Sequence, residues 1–309
     1  MMHDALAPRP DGGPAPLDPS VAPALAEIAA LKRVPGLADA HRSLADEGFR
    51  RAWTALLDGE APETVALAEV AFAAVQIAIA PVDASQLRFA GVEPEDRRTV
   101  YANAAARMMG DLPEPVADRL AEIVEGTAPT GEGPQFVELL ATQPRAGALR
   151  EGAARLIMPP EEMQSEHGWC VGVIGGLLQR QRGEPAAGAF LLGLAHHLGD
   201  AYTMTSATDL SAAQLQQARA RSERRALEQC AGDLAEALEA GLAAREDVAA
   251  PSVGAFVAAD LIDRVLQQRH YANLAGFSLS DAMDAREFAA HGPLYDFQLD
   301  VLRRFRLIF

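Results

Sequence analysis

Two adjacent histidines, His196 and His197, close the apolar run Phe190-Leu-Leu-Gly-Leu-Ala-His-His, and an aspartate follows at Asp200. Imidazole and carboxylate are the ligand types expected around a divalent transition metal such as Mn, Fe, Ni, Co or Zn. If the run is helical through Tyr202, His196 and Asp200 are four positions apart and His197 and Asp200 three. All three then gather at one edge of the stripe formed by Phe190, Leu191, Leu194 and Leu198. His167 lies one turn ahead of a second stripe, Cys170, Val171, Ile174, Leu177 and Leu178, so it should face inward. Asp260 falls within a third, Val253, Phe256, Val257 and Leu261. A carboxylate there is costly to bury unless it is paired, hydrogen-bonded or metal-bound. Its natural partners are the histidines, or Arg264 one turn further on.

His167, His196, His197 and Asp260 could hold one ion with a position left for water, whose pKa the ion would lower toward neutrality. Asp200 and His270 are then the candidates to orient a ligand or carry a proton. Each residue also has a plainer reading. A histidine can be a satisfied core or helix-edge group, Asp260 can pair with Arg264, and Asp200 and His270 can be ordinary charges near helix ends.

Helices are the elements expected to position these groups. The hydrophobic fraction is 49% and the aromatic fraction only 6%, and alanine and leucine dominate over β-branched residues. That mix favours an all-α fold. Residues 1–20, crowded with Pro and Gly, read as a leader without packed structure. Residues 21–158 read as an N-terminal helical region and 159–309 as a second helical domain. Helices are expected over Ala38–Asp58, Glu63–Ala80, Pro94–Met109, Pro113–Glu125, Gln135–Thr142, Ala146–Leu156, Met163–Arg180, Ser211–Arg245, Ser252–Ala272 and Asp281–Phe309.

The net charge of −16 argues against nucleic acid and anionic membranes as partners. The most apolar window, Val65–Val82, contains Glu69 and Gln76 and fits a buried helix better than a membrane span. Two cysteines, Cys170 and Cys230, give no disulfide framework and suit a reducing cytoplasm. A Gly-rich phosphate loop, a GxSxG elbow and an HExxH motif are all missing from the sequence. Gly172-Val-Ile-Gly-Gly176 lies inside a helical pattern and reads as close helix packing.

Glu166-His167 at the head of an amphipathic helix, Leu194-Ala195-His196-His197-Leu198-Gly199, and Ala259-Asp260-Leu261-Ile262-Asp263 together resemble the HD-domain superfamily. These are helical, mostly metal-dependent phosphohydrolases, with an early His, a His-Asp pair about 30 residues later, and a late Asp. The resemblance covers roughly residues 160–275. It implies an HD-like helical bundle, with His167, His196, His197 and Asp260 as metal ligands. It also implies a small-molecule, phosphorylated substrate such as a phosphate ester or nucleotide.

The sequence departs from the family in three places. His197 stands where the paired Asp is expected, Asp200 replaces a basic residue, and further histidine ligands between 198 and 269 are missing. These departures point away from a binuclear phosphohydrolase. They leave a mononuclear hydrolase with altered ligands or an HD-like binding or signalling module that has lost its metal. An iron-dependent HD-type oxygenase is a third reading. Self-association into a homo-oligomer is left open.

Overall fold

The structure is a computed structural model that describes residues 17–37, 39–79, 84–128, 133–145, 161–203, 211–230, 232–276, 292 and 294–307. The described residues form helices and no strand. The α-helices, in chain order, are α1 (Ala22–Ala30), α2 (Leu44–Leu57), α3 (Pro62–Ala78), α4 (Ala84–Phe89), α5 (Pro94–Met109), α6 (Glu114–Glu125) and α7 (Gln135–Ala141). Then come α8 (Gln164–Gln181), α9 (Ala187–Ala195), α10 (Ala212–Leu227), α11 (Gly232–Ala243), α12 (Pro251–Ala275) and α13 (Tyr295–Arg304). Short 3-10 turns cover Leu31–Arg33 after α1 and Leu198–Asp200 after α9. The expected helix Ala146–Leu156, the junction at 158/159 and most of the leader lie outside the described residues.

Local chemistry explains the element ends. Proline opens α3, α5 and α12, where its missing N–H costs nothing. Ser43 caps α2 by accepting from the Asp46 amide at 3.1 Å. Left-handed glycines, Gly126 and Gly276, stop α6 and α12 at φ +71° and +74°.

Helix α8 is the centre of the molecule. It packs on α9, α12, α2 and α3, and nearly every residue from Gln164 to Gln179 is buried. One apolar cluster runs through it and draws side chains from Leu17 to Leu307. The glycines of α8 make the density possible. A Cβ added at Gly193 of α9 would sit 2.2 Å from the Gly172 amide nitrogen, so the two backbones touch there. The Gly172–Gly176 stretch does pack as a close helix contact.

Two expected helices end differently. The central helix does not reach Tyr202: α9 stops at Ala195 and His196 is its C-cap. The chain then tightens into i→i+3 bonding, with the Asp200 amide on the His197 carbonyl at 2.8 Å. His196 and Asp200 therefore do not share a helix face. The long helix expected over Ser211–Arg245 is two, α10 and α11, separated near Gly232, which adopts a left-handed φ of +53°.

Candidate metal centre

Three helices bring the ligand types together. His167 is in the first turn of α8, His196 and His197 close α9, and Asp260 and Asp263 lie midway along α12. The start of α8 is pinned by Glu166, whose carboxylate accepts from the Met163 amide at 2.7 Å and the Ser43 hydroxyl at 2.6 Å. Burial pushes the Glu166 carboxyl up to about 7, against both hydrogen bonds. The turn after α9 is held from α10 and from the segment before α8. The Ser222 hydroxyl donates to the Leu198 carbonyl at 2.8 Å. The Gln143 side chain donates to the carbonyls of Asp200 and Thr203 at 3.2 and 3.0 Å.

The hydrogen bonds decide the tautomers. His196 Nδ1 stands 2.8 Å from the Gly193 carbonyl, which can only accept, so Nδ1 carries the proton. His167 Nδ1 faces Asp263 Oδ2 at 2.7 Å and His197 Nδ1 faces Asp200 Oδ2 at 2.9 Å. Burial alone would raise both carboxyls, but their cationic and imidazole neighbours hold them low, so they too accept. All three imidazoles thus spend Nδ1–H on an oxygen and keep Nε2 for something else, the arrangement that second-shell acceptors impose on metal-binding histidines.

The remaining atoms meet at His167 Nε2. His167 Nε2 lies 3.1 Å from His196 Nε2 and 3.2 Å from Asp260 Oδ1. Each of the three histidines offers a ligand atom within 4.8 Å of the others. Two ligands at about 2.1 Å from one ion are separated by about 3.0–3.4 Å, the edge of an octahedron or tetrahedron. The observed 3.1 and 3.2 Å are such edges. Two imidazole lone pairs at this distance repel, so a positive charge belongs between them, either a proton or a metal ion.

Burial lowers the His196 imidazole well below the ordinary histidine range, and its two histidine neighbours add to this, so His196 resists carrying that proton. His197 is pushed down to about 4, by burial first and by Arg145 and His167 next, against the bond to Asp200. The Asp260 carboxyl stays well below the usual range despite burial, held there by Arg264, 3.7 Å away, and by His167.

The cluster is graded from closed to open. The side chains of His167 and Asp263 are fully enclosed, whereas those of Asp260 and His197 keep about a fifth of their surface in solvent, 21% and 22%. Among the described residues the cluster meets solvent at its Asp260–His197 side.

A second acidic group, Glu162, His167 and Asp263, adjoins the first. Its cation is already built in. Lys32, the only lysine of the chain, places Nζ 2.5 Å from Glu162 Oε1 and 2.6 Å from Asp263 Oδ2. Burial would lower the Lys32 ammonium, but the two carboxylates reverse that and raise it. It stays charged.

No family model, curated protein or solved structure matches this chain. The site therefore stands on its own geometry. Of the residues singled out by sequence, His167, His196 and His197 come together, and Asp260 joins them through His167. Asp200 joins them one step back, clamped between His197 and Arg219 at 2.9 and 2.8 Å. His270 does not. It lies ten residues beyond Asp260 on α12, about 15 Å along the axis, beside Tyr271 and under the influence of Arg33 and Lys32.

Sequence reasoning missed Asp263, Lys32, Glu162 and Arg145. Lys32 did carry a signal, since it follows Ile28 by four positions and so continues the inward stripe of α1 into the turn beyond it. Arg145 is tied to the cluster through its backbone, the amide donating to the Glu162 carbonyl at 2.7 Å. Its guanidinium lies 3.9 Å from Glu162 Oε1.

Proposed function

We propose that this chain is a mononuclear, metal-dependent hydrolase of the HD type, acting on a phosphate ester or nucleotide. The observation that carries the reading is the cluster of His167, His196 and His197, with ligand atoms within 4.8 Å of one another and the His167 Nε2–His196 Nε2 pair at a coordination-edge distance, while Asp260 Oδ1 adjoins His167 Nε2. Every Nδ1–H of the three is already committed to an oxygen. A divalent ion held there would supply Lewis acidity and ease the deprotonation of water near neutral pH.

The remaining work falls to the protein's own groups. Asp263 and the Gly193 carbonyl orient His167 and His196. Asp200, braced by Arg219, orients His197. Asp260 stands at the solvent side. Arg145 adds positive potential at His196 and His197. That favours an anionic substrate.

The test is metal content by mass spectrometry on untagged protein, wild type and His196→Ala, followed by phosphate-ester hydrolysis with Mn, Fe, Co, Ni or Zn. About one equivalent lost in the variant, with hydrolysis that follows the metal, is the expected result. The second reading, an HD-like binding module without metal, has its own observation. A proton on His167 Nε2 would bridge Asp263 and Asp260 and tie α8 to α12. No uptake of any of the five metals would make that reading the better one. A two-iron oxygenase is disfavoured, because Lys32 fills the adjoining acidic group among the described residues.

A further inference from the structure

We infer that Lys32 is the positioning residue of this centre: from the N-terminal region it fixes Asp263, and through Asp263 it sets which nitrogen of His167 faces the cluster. The metal side of this inference rests on the reading given above, but the tautomer side does not.

The geometry is a relay of three contacts. Glu162 Oε1 receives Lys32 Nζ at 2.5 Å, the same Nζ donates to Asp263 Oδ2 at 2.6 Å, and that oxygen accepts from His167 Nδ1 at 2.7 Å. One oxygen therefore serves both the ammonium and the imidazole. The other, Oδ1, is buried without a partner among the described residues. Without Lys32, the Asp263 carboxylate would sit buried with no cation beside it and only His167 to hold Oδ2 in place. It would turn away or take up a proton. Either change robs His167 Nδ1–H of its fixed acceptor, and a protonated carboxyl would donate to Nδ1 instead and turn the N–H of the imidazole toward the cluster. The ligand lone pair would then point at Asp263 and away from His196 and Asp260.

Lys32 has no other evident task. It is 4% exposed and its ammonium is held by the Glu162 and Asp263 carboxylates, so it is not placed to act as a nucleophile or to touch substrate. A purely structural cation could have been placed against either carboxylate alone. Lys32 bridges the two and touches the oxygen that faces His167.

The test uses the full untagged chain and three variants: Lys32→Met, Lys32→Arg, and Lys32→Met/Glu162→Gln, which withdraws one charge of each sign. Folding is followed by circular dichroism. Nitrogen-15 spectra of histidine-labelled, metal-free protein, with His167 assigned through a His167→Gln variant, report the tautomer. Titration with Co(II) reports affinity.

In wild type and Lys32→Arg, His167 should be the Nδ1–H tautomer. In the Met variants it should leave that state, and Co(II) affinity should fall about tenfold or more. A folded Met variant that keeps the wild-type tautomer and affinity overturns the inference. So does failure of both Met variants to fold while Lys32→Arg folds, since that assigns Lys32 to the fold. If wild type takes up no metal at all, the metal reading fails and the tautomer result still decides the role of Lys32.

Discussion

Two buried ion networks lie on opposite sides of α8, and they are completed to different degrees. His167 and Trp169 are two positions apart, so they point about 200° away from each other around the helix. On the Trp169 side, Glu69 of α3 takes Arg51 Nε on one oxygen at 2.8 Å. Its other oxygen takes Arg51 Nη2 at 2.7 Å and Trp169 Nε1 at 2.9 Å. The guanidinium also rests over the Phe72 ring at 4.6 Å. Both oxygens of Glu69 are used, by donors that fit them.

On the His167 side the chemistry is similar but unfinished. Asp263 Oδ1 has no partner among the described residues, and two imidazole nitrogens face each other at 3.1 Å. A closed network ties α8 to its neighbours. An open one, at comparable depth, is where a further ligand fits. On the proposed reading, stability and binding are divided between the two faces of one helix.

Breaking the closed network should have the largest effect. Glu69→Ala strands a buried guanidinium and should cost about 3–5 kcal/mol in urea denaturation, with metal uptake per folded molecule unchanged. A small cost there would mean that the contrast between the faces is not real.

The open network should instead respond to pH. His197 titrates at about 4 in the fold and near 6.5 when unfolded. The unfolded chain therefore binds more protons between those values. The stabilisation that depends on neutral His197 is complete above about pH 6.5 and is lost as pH falls toward 4, by up to about 3 kcal/mol. The melting temperature of metal-free protein from pH 7.5 to 4.5 should fall accordingly, and His197→Asn should flatten the slope. An equal slope in that variant would refute the assignment.

Asp200→Asn removes the charge behind His197 and should weaken Co(II) binding about tenfold, at the low end for an outer partner. Affinity equal to wild type would leave Asp200 a fold residue paired with Arg219. His196→Leu should have the smallest effect on stability and the clearest on binding. An apolar side chain of similar size replaces a desolvated imidazole, so the metal-free protein should stay within about 1 kcal/mol of wild type, while Co(II) binding disappears.

The all-α fold was legible because Ala and Leu at three- and four-residue spacings leave little else. His167, His196, His197 and Asp260 were legible as polar residues interrupting or edging apolar stripes. Their partners were not. Helix α12 is buried on most of its circumference, so its period could not say that Asp263 lies deeper than Asp260. Lys32 contacts a residue 231 positions away, and no local pattern encodes such a contact. The end of α9 was misjudged because the apolar run continues through Leu198, while the backbone changes to 3-10 bonding one residue after His197. That change gives Asp200 to His197 rather than to His196.

Where α8 and α9 cross, a hydrogen atom on each of Gly172 and Gly193 is all the side chain there is. The Gly193 carbonyl also holds His196 in orientation. The gap between His167 and His196 is thus gauged by two residues that bring no functional group of their own. A lineage could trade one metal for another, or one ligand for another, and keep the gauge. A methyl group at Gly193 would spread the two histidines apart with every ligand still in place. Among descendants of this chain, an unchanged set of histidines and aspartates would be a poor guide to a working centre unless these two glycines had survived with them.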